Sequence, residues 1–318
     1  MARADVLDLL KQDVFVSGEE MSRALGVSRA AVCKAIGALR AEGFEIDAVP
    51  NRGYCLRKSV LSAARVRRLL GGDRIGTVMA LTDSTNDELK RLCGAPDGVY
   101  CIAAQQTGGR GRRGRQFASP AGGIYLSVLL RPAAEAAELL HLTPMAAVAV
   151  RRAIADCCDV EVGIKWINDL VVKGKKLCGI LTELCCEADT GHVQSVIVGV
   201  GINCNTDPLP EPLRDTATSL RLETGHPIDP NALAAAMVRR LWEMERALQT
   251  EKEAYLAEYA ACCVTLGKQV QVIREDTRRS AFAEGIDDSG GLIVRYEDGT
   301  RAVVSAGEVS VRGMYGYV

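Results

Sequence analysis

Hydrophobic positions in the first sixty residues recur at helical spacing and then give way to alternation. Val6, Leu7, Leu9 and Leu10 form one apolar stripe. Ser17 with Glu20 three residues on is a capping-box pair, predicting a short helix that carries Met21 and Leu25. Gly26-Val27-Ser28 predicts a turn, and a second helix follows from about Arg29 to Glu42 with Val32, Ile36 and Leu39 on one face. Phe44-Glu45-Ile46 and Tyr54-Cys55-Leu56, on either side of Asn51-Arg52-Gly53, read as a β-hairpin. Two helices joined by a glycine-containing turn and followed by a hairpin match a winged helix-turn-helix. In a DNA reader of this shape the start of the second helix faces base edges. That selects Ser28, Arg29, Ala30, Cys33 and Lys34, with Arg52 at the wing tip for phosphate. A three-helix protein-interaction module would share the apolar stripe; the agreement of stripe, turn and wing favours DNA.

Arg57 to Arg68 is a basic connector that soon becomes helical. From about Ile75 short strands alternate with helices. Tyr100–Ala104, Ile124–Leu130, Gly163–Trp166, Cys178–Leu184 and Ser195–Val200 read as strands. Leu140 to Asp156, Asn231 to Gln249 and Tyr255 to Cys262 read as helices. The result is a mixed α/β core whose strand order the pattern leaves open. From Leu266 the texture changes again. Val270–Ile273, Ser280–Ile286, Gly291–Tyr296 and Val303–Ala306 alternate with Glu275-Asp276, Asp287–Gly290 and Glu297–Gly299. Short strands separated by Asp/Gly turns predict a small β-barrel. The expected class is α+β in three domains: residues 1–60, 65–265 and 266–318.

Composition alters this picture little. A formal net charge of −1 over 318 residues argues against a wholesale nucleic-acid coat protein but allows one small DNA-binding module. With aromatics at 4%, the core must be Leu, Val, Ile and Ala. The 12 cysteines include adjacent pairs but no C-x-x-C, and there are 3 histidines, so neither a zinc site nor a disulfide framework is expected. Charged residues stand near the N-terminus where a signal peptide would be apolar, and no apolar run is long enough to span a bilayer. These features predict a cytoplasmic protein with reduced thiols, mostly small core residues, and no membrane association.

Against that near-neutral background, Gly109-Arg110-Gly111-Arg112-Arg113-Gly114-Arg115 stands out. Glycine permits close approach of backbone to a ligand, and arginine presents forked donors that fit phosphate and carboxylate. Alone, the heptapeptide is an anion-closing loop or, equally, a solvated basic loop or an RGG-like tail. Its surroundings weigh on that choice. Asp83-Ser84-Thr85-Asn86, Gln105-Gln106-Thr107-Gly108, Lys165-Trp166-Ile167-Asn168-Asp169 with Lys173-Gly174-Lys175-Lys176, and Gly199-Val200-Gly201-Ile202-Asn203 are all polar or glycine-rich segments at strand ends. Together they describe one pocket for a neutral polar group, an anion and a metal. No Walker A, G-x-S-x-G or H-E-x-x-H pattern occurs. The cations therefore point to electrostatic stabilisation of a phosphoryl centre, not to a nucleophile.

Nearly the whole chain resembles the bifunctional biotin–protein ligases that also repress biotin-synthesis genes. The winged helix, S-T-N, Q-T-x-G-R-G-R-R-G-R, K-W-x-N-D, K-K-L-x-G-I-L-x-E and G-x-G-I-N occur in that family's order. The resemblance implies a class II synthetase-like ligase domain and an SH3-like C-terminal barrel. It also implies biotin, ATP and Mg²⁺, a biotin carboxyl carrier protein as acceptor, operator DNA, and a homodimer when adenylate is bound. Ser84, Thr85, Asn86 and Gln106 resemble the ureido-binding set. Arg110, Gly111 and Arg112 would hold the biotin carboxylate and the adenylate phosphate, and Lys165 would neutralise developing charge, making Arg112 and Lys165 the catalytic pair. Lys176 would assist, Asp169 would orient Mg²⁺ or phosphate, Phe117 would stack on adenine, and Asn203 would read it.

Simpler roles compete with these. Ser84 and Thr85 fit a helix cap near Asn86, Trp166 and Ile167 fit the core, Gly108-Gly109 fits a hinge, and Arg113 and Arg115 fit solvent. Two departures stand out. Ile167 occupies the position where the family usually has Pro, which predicts a less rigid turn. Phe117 replaces the usual Trp, which predicts weaker adenine affinity. A lipoate ligase would carry an R-R-x-S-G-G-G-type loop, absent here, and a regulator without catalysis would not need the loop together with Lys165 and Lys176.

Overall fold

The computed structural model describes residues 2–10, 14–72, 75–92, 94–135, 138–187, 192–274, 277–305 and 310–313. The expected turn at Glu275-Asp276 and the strand end at Ala306 lie outside them. One compact unit comprises residues 1–72 with 229–232. Its elements are α1 (Ala2–Leu9), α2 (Gly18–Leu25), α3 (Arg29–Ala41), β1 (Glu45–Val49), β2 (Gly53–Lys58) and α4 (Ala63–Leu69). Ser17 caps α2 by accepting from Glu20 N at 3.0 Å, and Ser28 caps α3 by accepting from Ala31 N at 3.2 Å. Capping satisfies backbone donors that a helix start leaves unpaired. Gly26, at φ +63°, ends α2 and makes the expected turn. Met21, Val32, Ile36 and Leu39 pack with Val6, Leu7, Leu10, Phe44 and Ile46 in one core.

The wing forms as expected, with β1 and β2 antiparallel. Gly53 is required there: at φ +101°, a Cβ would lie 2.2 Å from Val16 O, because Val16 and Tyr54 exchange backbone hydrogen bonds. Ser28, Arg29, Ala30, Cys33, Lys34 and Arg52 are all exposed. The Ser28 hydroxyl is the α3 cap, and the Arg52 guanidinium stacks 4.2 Å over the Phe15 ring.

The second unit comprises residues 73–228 and 233–318. Its elements are β3 (Gly76–Met79), α5 (Thr85–Arg91), β4 (Tyr100–Ala103), β5 (Ile124–Leu130), α6 (Leu142–Ala155), β6 (Gly163–Lys165), β7 (Asp169–Val172), β8 (Lys175–Cys186), β9 (Val193–Ile202), α7 (Leu220–Thr224), α8 (Pro230–Ala247) from Leu233 onward, and α9 (Lys252–Cys262). A seven-stranded sheet runs β3-β4-β5-β9-β8-β7-β6. Only β3 and β4 pair in parallel; the other neighbours are antiparallel. Every residue of β5 is buried, as befits a central strand covered on both faces.

Three readings of the pattern are corrected here. Asp169, read as the end of a polar segment, opens strand β7, and β8 begins at Lys175, before the expected Cys178, and runs on to Cys186. The helix expected from Leu140 begins as a 3-10 turn at Glu138–His141. Helix α7 follows an unremarked Ser219 cap.

The C-terminal strands β10 (Gln269–Arg274), β11 (Thr277–Ile286), β12 (Leu292–Tyr296), β13 (Arg301–Val304) and β14 (Ser310–Gly313) form a five-stranded antiparallel sheet ordered β13-β12-β11-β10-β14. Its Asp287–Gly291 turn meets the larger sheet's domain. Trp166 Nε1 donates to Gly290 O at 3.0 Å, and His141 Nε2 lies 2.8 Å from Asp288 O. Among the described residues no helix is long and apolar enough to cross a membrane. Cys55, Cys101, Cys178, Cys204 and Cys263 are buried thiols, as expected of small core residues, whereas Cys33 and Cys186 are exposed.

Candidate active site

Glycines inside strands make the floor of the site. Residues paired across a sheet share a face, so two rows face the same way: Ser127–Gly199–Leu181 and Tyr125–Gly201–Gly179. A Cβ on Gly199 would lie 2.2 Å from Asn86 Oδ1, and one on Gly201 would lie 2.4 Å from the Phe117 ring. A Cβ on Gly179 would reach Phe117 at 3.0 Å. Interior strand glycine marks close approach of another group, and here the groups are the two side chains that roof the rows. Over this floor lies a cavity of about 520 Å³, within the usual range for small-molecule sites.

One end of the cavity is neutral and hydrogen-bonded throughout. Ser84 caps α5 by accepting from Asp87 N, so Thr85 and Asn86 begin the helix. Thr85 N donates to Gln106 Oε1 at 2.8 Å, and Gln106 Nε2 donates to Ser119 Oγ at 3.0 Å. Asn86 Nδ2 donates to Glu183 Oε2 at 2.6 Å, which turns Oδ1 toward the fully buried Ser127. Ser127 Oγ lies 2.5 Å from Asn86 Oδ1 and 2.7 Å from Thr85 Oγ1. Asn86 Oδ1 can only accept, so it takes a proton from the Ser127 hydroxyl. Burial alone would raise the Glu183 pKa. Hydrogen bonds from Lys90 and Asn86, with the charges of Lys90 and Arg110, overcome this and hold it below the ordinary value of 4.5.

The other end is charged. Lys165 is buried on β6 and lies in register with Asp169 on β7. Lys176 Nζ sits 2.7 Å from Asp169 Oδ1 and 5.5 Å from the centre of the Phe117 ring. Phe117 packs edge-on to Tyr125 at 6.4 Å. The turn between Lys165 and Asp169 is braced from below. Tyr259 donates its hydroxyl to Ile167 O at 3.2 Å, and Trp166 N donates to Thr265 Oγ1 at 3.0 Å. Trp166 and Ile167 are buried, as a core role requires, although Trp166 also borders the cavity.

The arginine loop spans both ends. It is a closed hairpin: Phe117 N donates to Gly109 O at 2.9 Å, and Gly111 N donates to Arg115 O at 2.7 Å. Gly109 is more than a hinge, since a Cβ there would lie 2.5 Å from both Phe117 O and Ser119 Oγ. Arg113 takes φ +59° at the tip. Arg110 reaches toward α5 and pairs with Asp87. Arg112 reaches the opposite way and donates to Asn168 Oδ1 at 3.2 Å. Burial lowers the Arg112 pKa, but a guanidinium stays charged in proteins.

The structure thus brings Ser84, Thr85, Asn86, Gln106, Arg110, Gly111, Arg112, Phe117, Lys165, Asp169 and Lys176 to one cavity, with Arg113 and Arg115 also on its wall. Other expected positions lie elsewhere. Asn203 is not among the lining residues. Its Nδ2 donates to Thr218 O at 2.9 Å, because the chain leaving β9 needs a tether, and Thr216 of the tethered loop borders the cavity instead. Asp83 faces Arg91, whose hydrogen bond, with one from Ser84 N, holds its carboxyl down at about 2. Lys173 sits in the β7–β8 turn and pairs with Glu223 at 2.9 Å, and Lys175 Nζ donates to Arg214 O. The residues not anticipated are Ser127 and Asp87; Asn168 and Glu183 lie in motifs already noted, which give them no individual role. Ser127 was visible as the one polar residue of an apolar strand.

Asp169 is the one carboxylate among the lining residues, and no group of three or more His, Cys, Asp or Glu capable of holding a metal occurs among the described residues. A single carboxylate fits a divalent cation carried in on phosphates.

Comparison with known proteins agrees with this geometry. The Biotin/lipoate A/B protein ligase family model matches residues 78–203, the HTH domain model residues 3–55, and the Biotin protein ligase C terminal domain model residues 265–312. The central domain is therefore of the biotin/lipoate ligase class. The bifunctional ligase/repressor BirA of Bacillus subtilis is 35% identical over 96% of this chain and 97% of its own length. That of Escherichia coli is 34% identical over 96% of each. A biotin protein ligase from Aquifex aeolicus, solved with biotin and ATP, superposes with a TM-score of 0.67 at 29% identity, over 75% of this chain and 99% of that one. The chain belongs to the bifunctional ligase/repressor BirA family.

Proposed function

We propose that the cavity activates biotin with ATP and passes it to a lysine of a biotin acceptor domain. The observation that carries the reading is the arginine hairpin laid across a cavity with a satisfied neutral end and a cationic end. The ureido ring would occupy the neutral end, against Ser84, Thr85, Asn86 and Gln106. In the first step a biotin carboxylate oxygen attacks the α-phosphorus of ATP, and the bond to pyrophosphate breaks. Arg110 and Arg112 with Gly111, Lys165 and Lys176 surround the place where negative charge develops, and preorganised charge of this kind lowers a barrier without reorganisation. In the second step a neutral lysine amine attacks the acyl carbon, AMP leaves, and the amine proton passes to water. Asp169 would share a Mg²⁺ with the nucleotide's phosphates. Phe117 offers a face to adenine, and the loop tethered by Asn203 closes that side.

The acceptor has the chemistry of a biotin carboxyl carrier protein. The exposed row Ser28, Arg29, Ala30, Cys33, Lys34 and Arg52 fits operator DNA. An adenylate-bound homodimer would match a two-half-site operator. The test is transfer of labelled biotin to a purified acceptor domain with ATP, beside labelled lipoate. Biotin transfer with pyrophosphate release is expected. Lipoate transfer alone, or no pyrophosphate, overturns the reading. For the regulatory half, operator affinity should rise when biotin and ATP are both present; equal affinity without them removes the coupling.

A further inference from the structure

We propose that Asp87 is a specificity-determining residue that makes Arg110 available only to anionic ligands; the proposal rests on the ligase reading above. Arg110 is the cation of the loop that meets the neutral end, and its guanidinium is paired with Asp87. A second carboxylate, Glu183, lies 3.8 Å away. Glu183 is already matched by Lys90 Nζ at 2.7 Å and Asn86 Nδ2 at 2.6 Å, so Asp87 is the group that holds Arg110. Arg112 donates to the neutral amide of Asn168 and also feels the charge of Asp169.

This arrangement sets a threshold. A ligand that brings a carboxylate or acyl phosphate can exchange with Asp87 for the guanidinium. Asp87 is not stranded by the exchange, because Lys90 Nζ stands 3.7 Å from it. A ligand with a hydroxyl or amide in that place offers no charge in return, and Arg110 stays on Asp87. The pair is partly exposed, with side-chain exposures of 41% and 30%, and so it is weak enough to be displaced. Exposed ion pairs are modest in strength, corresponding to about two- to fivefold in affinity.

The test measures binding of biotin and of its alcohol analogue, with CH2OH replacing the carboxylate, to the full chain and to Asp87→Asn, Asp87→Glu, Arg110→Ala and the Asp87→Asn/Arg110→Ala double variant. Asp87→Asn should bind biotin about two- to fivefold more tightly and the alcohol unchanged. Asp87→Glu should keep the wild-type ratio of the two affinities. In the Arg110→Ala background, Asp87→Asn should have no effect, since the cation it restrains is gone. Equal shifts for both ligands, or an Asp87→Asn effect that survives loss of Arg110, overturn the proposal and leave the ligase reading standing. Failure of the unaltered chain to bind biotin overturns both.

Discussion

At the neutral end of the cavity, Thr85, Asn86, Gln106 and Ser127 each have hydrogen-bond partners within the protein, and the strand glycines let Asn86 and Phe117 approach the sheet closely. At the charged end, arginines and lysines outnumber the single carboxylate of Asp169. One end is built to recognise shape through a network that is complete in advance. The other is built to receive negative charge. The same hairpin reaches both, through Arg110 on one side and Arg112 on the other.

If the two ends divide recognition and chemistry in this way, substitutions at each should have separable effects. Arg112→Ala should have the largest, lowering adenylate formation about 10²–10³-fold and letting adenylate leak. Single-turnover formation and filter retention of the adenylate measure both, and retention equal to wild type would remove Arg112 from its role. Gly199→Ala comes next. Its Cβ would displace Asn86, and overpacking of about 1–3 kcal/mol predicts biotin affinity lower by roughly five- to a hundredfold. Calorimetry with ATP alone should show no change; a parallel loss of ATP binding would mean the ends are not separate.

Phe117→Trp should act at the charged end only. Added aromatic area predicts ATP affinity higher by about two- to tenfold, with biotin affinity constant. An unchanged ATP affinity would show that this ring does not stack on the base. The smallest effect is that of pH. The Glu183 carboxyl is held below its ordinary 4.5, so the contribution of its ion pair is fully present at neutral pH. That contribution fades only as pH falls through the lowered value. Biotin affinity should be flat across neutral pH and decline on the acid side, where the carboxyl of biotin also takes up a proton, and the decline should be shallower in Glu183→Gln.

Much of the site could be read along the chain because each piece is local. Ser17 sits where a cap must sit, and the arginine loop, K-W-I-N-D and G-V-G-I-N keep their chemistry in contiguous residues. What stayed hidden depends on contact between distant segments. Ser127 and Glu183 are ordinary strand residues until the register of β5, β9 and β8 sets them beside Asn86. The hydrogen bond from the Asn203 amide to Thr218 O likewise follows from the path of the loop after β9. Spacing and residue type are properties of neighbours along the chain, so the sequence alone determined the helices, the wing, the charged loop and the class of chemistry. Which arginine faces a carboxylate and which an amide depends on side chains many residues away in the sequence. Folding brings those side chains within hydrogen-bond reach of the loop, and their placement gives the two ends of the cavity their different characters.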